Sequence, residues 1–153
     1  MTTVDRPPDA ASRRAAFVLR LALASILFIH SIARIRSGGV APFGEFLTSR
    51  GFPFGLAFAW GVTLFELAAG AMLIAGRWLR PVCIVYALQI ATGIVLVHAP
   101  AGWFVVGLGR NGVEYSVLIL FCLAALYVLS PPAGVRIASP SGAAAAMDDT
   151  RGS

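Results

Sequence analysis

FGLAFAWGVTLFELAAGAMLIA, residues 54–75, contains a single charged side chain, Glu66. A helix of about 20 residues covers the hydrocarbon core of a bilayer. In lipid no water reaches backbone N–H or C=O groups, so such a segment must satisfy them within itself, as an α-helix. Residues 15–33, 79–98 and 113–129 form three further apolar blocks of matching length. The sequence therefore predicts an all-α, integral membrane four-helix bundle over residues 15–129.

Composition points the same way. Hydrophobic residues make up 58% of the chain and charged residues 12%, against roughly 25% charge in a soluble domain. The net charge is +5, and all twelve basic residues are arginine. They stand singly or in pairs between apolar blocks rather than as one basic stripe, so a nucleic-acid partner is not expected. Eight of them (Arg6, Arg13, Arg14, Arg20, Arg77, Arg80, Arg136 and Arg151) fall on one side of the predicted bundle. Four (Arg34, Arg36, Arg50 and Arg110) fall on the other. The positive-inside rule then places both termini in the cytoplasm. Residues 1–14 and 130–153 read as disordered cytoplasmic tails, and the expected location is the bacterial plasma membrane. A cleaved signal sequence ending at Ser31-Ile32-Ala33 is the competing reading of the first block, which is longer than a usual signal core.

The linkers differ. Gly76-Arg77-Trp78 is a tight turn that makes its two flanking helices antiparallel neighbours. Arg34–Pro53 and Ala99–Gly112 read as longer loops, the second with Trp103 at the membrane interface. Cys83 and Cys122 lie inside apolar blocks without a C-x-x-C pair, which argues against a thiol-redox or metal-thiolate site. No flavin, haem or metal motif is present; two histidines and two carboxylates would suffice for a metal, but no pair has ligand spacing.

Ionisable groups inside a bilayer are costly, and so point to function or to pairing. His30, Arg34, Glu66, His98 and Glu114 are such groups. With four crossings, all but Glu66 fall toward the outer side, and Glu66 lies near mid-membrane. The expectation is a polar pocket opening outward with Glu66 at its floor. Glu66 is either proton-linked or paired with an arginine or histidine. Glu114 either serves the site or closes a capping box with Asn111. Gln89 should make an interhelical hydrogen bond, Ala57/Gly61 and Ala87/Ala91 should let helices approach, and Gly70 should leave room beside Glu66.

Taken together, the sequence resembles the DoxX family of bacterial four-helix membrane proteins over about Arg20 to Leu129. The resemblance is carried by His30-Ser31-Ile32-Ala33-Arg34, Gly51-Phe52-Pro53, Glu66 with Gly70, the Gly76–Arg80 turn, His98, and Asn111-Gly112-Val113-Glu114-Tyr115. The chain departs from the family pattern at Ser31, at Arg34, and after the last helix at Ser130-Pro131-Pro132-Ala133-Gly134. The family includes membrane subunits linked to quinone-dependent thiosulfate oxidation and proteins found with thiol-redox partners. The resemblance thus implies a quinone-interacting, redox-linked membrane subunit. His30, Arg34, His98 and Tyr115 are candidates to line the quinone pocket, and Glu66 and Glu114 are candidates to carry protons. A soluble or membrane redox partner and a homo-oligomer are the expected associations. A non-enzymatic transporter or accessory subunit is the alternative.

Overall fold

The structure, a computed structural model, describes residues 9–107 and 110–130. Most of each predicted tail, residues 1–8 and 131–153, lies outside the described residues. Five α-helices follow one another: α1 (Ala10–Arg36), α2 (Val40–Ser49), α3 (Gly55–Ala75), α4 (Leu79–Gly93) and α5 (Glu114–Leu129). A wide π turn at Ile94–His98 and a 3-10 turn at Ala99–Ala101 extend α4 without a break. Three of these runs are long and apolar enough to cross a membrane: Ala10–Arg36, Gly55–Ala75 and Leu79–Ala101. The protein is accordingly a helical membrane protein. α5 is equally apolar but shorter, at 16 residues.

α1, α3, α4 and α5 share one core. Leu23 and Leu27 of α1, Leu73 of α3, Tyr86 of α4, and Leu123 and Leu126 of α5 are all buried in it. Many large apolar side chains face outward, among them Ile29, Leu64, Leu88 and Phe121. That arrangement would be untenable in water but suits lipid.

Two segments differ from the sequence reading. α1 starts at Ala10, within the stretch read as a tail. Asp9 caps it by accepting a 2.7 Å hydrogen bond from the Ser12 backbone N–H, a strong start signal. The Arg34–Pro53 linker is not a loop but contains α2. Its apolar residues Val40, Phe43 and Leu47 recur at helical spacing, and Val40 and Leu47 bury against Ala59 of α3. The two helices cross very closely. A Cβ on Gly44 would stand 2.7 Å from the Leu56 Cα, and one on Gly55 would collide with the Gly44 carbonyl oxygen.

Two arginines close the opposite end of the bundle. A helix leaves its last carbonyl groups without intrahelical donors. Arg20 of α1 reaches across and donates to the Leu73 and Ile74 carbonyl oxygens at 2.6 Å each. It packs so closely on Gly76, the left-handed residue ending α3 (φ 70°), that a side chain there would strike its guanidinium. Arg80 of α4 likewise donates to the Ser130 carbonyl oxygen at 3.0 Å, with its guanidinium 5.0 Å from the Tyr127 ring centre. These residues are therefore more than orientation charges: they are C-terminal caps supplied by a neighbouring helix.

Candidate functional site: a buried Arg34–Glu66 knot

Glu66 sits halfway along α3 and is 3% exposed. Four hydrogen bonds converge on its carboxylate. The Ser31 hydroxyl donates to Oε2 at 2.9 Å. The Arg34 guanidinium donates to Oε2 at 2.9 Å and to Oε1 at 3.3 Å, a bidentate ion pair. The Gln89 amide of α4 donates to Oε1 at 2.5 Å. Arg34 also donates to the Thr63 hydroxyl at 2.9 Å. That hydroxyl in turn donates to the Ala59 carbonyl oxygen, while the single Ser31 hydroxyl proton is shared between Oε2 and the Leu27 carbonyl oxygen, 2.7 Å away.

Helical spacing explains how these groups meet. Ser31 and Arg34 are three residues apart on α1, as are Thr63 and Glu66 on α3, so each pair shares a face. Burying one charge alone would be prohibitive; burying two requires close pairing and a partner for every remaining site. The pairing is close. Among the described residues, every buried side-chain nitrogen and oxygen has a hydrogen-bond partner. The knot also ties α1, α3 and α4 together at one depth. Phe43 of α2 covers it from outside, its ring centre 4.8 Å from the Arg34 guanidinium carbon. Tyr86, one turn before Gln89 on α4, is buried within electrostatic reach of Glu66.

The other candidate residues lie elsewhere. His30 is exposed on the outer surface of α1, and among the described residues nothing bonds to it. It stands four positions before Arg34, but only Arg34 reaches the knot. His98 ends the π turn; its Nδ1 lies 2.8 Å from the Asn111 carbonyl oxygen, so Nδ1–H is the donor and Nε2 stays free of that bond. Glu114 forms no capping box: Val113 is the N-cap residue and makes no side-chain bond, and Asn111 takes a left-handed conformation (φ 62°). Instead the Glu114 carboxylate accepts from the Val105 backbone N–H at 3.0 Å and so fixes the preceding loop. Tyr115 is 58% exposed on α5. The structure thus brings together Arg34 and Glu66, and leaves His30, His98, Glu114 and Tyr115 outside the knot.

Gln89 makes its interhelical bond as its position implies. Ser31, Thr63 and Phe43 are members that sequence reading missed. The first two carried a signal, since each stands three residues before a buried charge. Gly70 does not leave open space, because the Phe28 ring packs against it. Ala57 and Gly61 face outward, and a Cβ on Gly61 would meet nothing. No trio of His, Cys, Asp or Glu side chains converges among the described residues.

Comparison with known proteins agrees with this architecture. The DoxX family model matches residues 15–99, more than half of the chain. The chain belongs to the DoxX family. The match takes in α1 to α4 and both members of the ion pair, and stops before α5 and the Asn111–Tyr115 stretch. No curated protein and no solved structure matches. This DoxX protein is therefore a multi-pass membrane protein whose most constrained polar feature is the Arg34–Glu66 knot.

Proposed function

We propose that this DoxX protein is a membrane subunit of a redox-linked complex in the bacterial plasma membrane, with quinone as its small-molecule partner. The observation that carries this reading is the knot itself, a charged, hydrogen-bonding cluster in lipid roofed by an aromatic ring. A quinone needs an apolar slot for its ring and tail and donors for its carbonyl oxygens. The donor set fits. Arg34 has five N–H groups and spends three bonds on Thr63 and Glu66. The Gln89 amide spends one on Glu66. Arg34 and Gln89 would hold the carbonyl oxygens, and Phe43 would face the ring. When bound, quinone supplies the capacity to take up electron pairs from a redox partner. Glu66 would hold or pass the accompanying protons, with the Ser31 hydroxyl as its hydrogen-bonded neighbour and Arg34 as a fixed positive charge beside it. His98, Glu114 and Tyr115 belong in this reading to the outer rim, where protons exchange with water.

The topology that goes with it has four crossings, by α1, α3, α4 with its π turn, and α5, and places both termini in the cytoplasm. α5 supports this by burying Leu123 and Leu126 in the common core. α2 would then lie at the outer interface.

The test is a titration of the detergent-purified chain with a short-chain benzoquinone, beside extraction of co-purified quinone. The Gln89→Leu variant removes one donor and leaves the ion pair. Retained quinone in the native chain, and weaker binding in a Gln89→Leu chain that still folds, is the expected result. Absence of binding to a folded native chain overturns the proposal. It would favour a second reading, an accessory subunit that stabilises a complex, for which the full pairing of the knot is the supporting observation.

A further inference from the structure

His30 poses a separate problem. Its neighbour Ser31 bonds to Glu66 halfway along α3, so His30 lies at mid-bundle depth. It is nevertheless exposed on the outside of α1, and nothing in the described chain bonds to it. A lipid headgroup cannot reach that depth, and hydrocarbon offers no hydrogen bond, so the imidazole calls for a polar partner within the membrane. Exposed Ala22, Ile26 and Ala33 flank it at helical spacing. The two alanines leave room for another helix to come close.

We propose that the partner is a second copy of this chain, with α1 packed against α1 and the two His30 side chains hydrogen-bonded to each other. Copies inserted by the same route have the same orientation, so a two-fold axis along the membrane normal sets every residue opposite its own counterpart. Complementarity then selects histidine. A neutral imidazole carries one donor and one acceptor and so pairs with its own kind. The outward Ser25 hydroxyl of α1 is already turned back to the Leu21 carbonyl oxygen, which leaves His30 as the unmet group on this face. The interface is distinct from the quinone reading, because His30 takes no part in the knot.

Full-length chain, labelled at its N-terminus in separate donor and acceptor pools, would be reconstituted in phosphatidylcholine vesicles and diluted with lipid. Energy transfer reports association. His30→Leu should raise the density needed for half-association roughly tenfold, the scale of one interhelical hydrogen bond in lipid. His30→Asn, which keeps a donor and an acceptor, should stay near the native chain. In a chain with native His30, Ala33→Cys should form a disulfide-linked dimer on oxidation, whereas Leu118→Cys on α5 should not. Equal dilution curves for the native chain and His30→Leu, transfer no greater than random proximity, or cross-linking through Leu118→Cys but not Ala33→Cys would overturn the proposal.

Discussion

At the scale of single residues, stability rests on the company each charge keeps. Removing one member of the Arg34–Glu66 pair strands the other in a low-dielectric interior, which costs about 3–5 kcal/mol for buried pairs. Replacing both members by apolar residues strands neither. Arg34→Met alone should therefore destabilise the protein more than Arg34→Met combined with Glu66→Leu, as read by equilibrium unfolding in mixed detergent–SDS micelles. Asp9 offers a contrasting case at the exposed start of α1. The Ser12 backbone N–H, and then its hydroxyl, hold the Asp9 carboxyl below its ordinary value of 3.8, with Arg13 adding a smaller pull. A lowered folded-state value means that the cap's stabilisation is present above the unfolded value and lost as pH falls through the folded one. The protection of the Ser12 and Arg13 amides, their exchange relative to the intrinsic rate at each pH, should thus hold near neutrality and fall only below about pH 4. An Asp9→Asn variant should lack that acid-dependent step.

At the scale of elements, the α2–α3 crossing is the tightest joint in the fold. A methyl group on Gly44 meets backbone rather than a yielding side chain, so Gly44→Ala must push α2 away from α3. Overpacking of this kind costs about 1–3 kcal/mol. The expected signature is faster amide exchange across Val40–Ser49 with α4 and α5 unaffected. α2 also shows where sequence reading fell short. The long apolar blocks announced themselves because lipid imposes one solution on any such stretch. Ten residues with a proline and a glycine, bounded by Gly38-Gly39 and Gly51, satisfy no length rule; only their packing on Ala59 makes them a helix. The site was legible to a similar degree. Glu66 stood out as a lone charge in apolar sequence, and Gln89 as an amide that needed a partner. The facing of α1 was not legible, because residues 30, 31 and 34 lie within one turn. Tertiary packing alone decides that Ser31 and Arg34 turn inward and His30 outward.

At the scale of the whole molecule, the polar contacts divide the chain into two parts. Arg20 caps α3 from within residues 10–76, and Arg80 caps the end of α5 from within residues 77–130. The Gln89–Glu66 bond crosses between them, alongside the shared apolar core. In each part the arginine precedes in sequence the carbonyl groups it serves. A nascent chain emerging from the ribosome therefore has the donor already in the membrane when its acceptors arrive, and neither part waits on the other to seal its own helix end. A gene cut between Gly76 and Arg77 should then yield two fragments that insert independently and reassemble when co-expressed, detected by co-purification through a tag on one of them. Gln89→Leu should weaken that recovery. In the economy of biogenesis, the tight turn after α3 is thus less a covalent necessity than a tether between two self-sufficient hairpins.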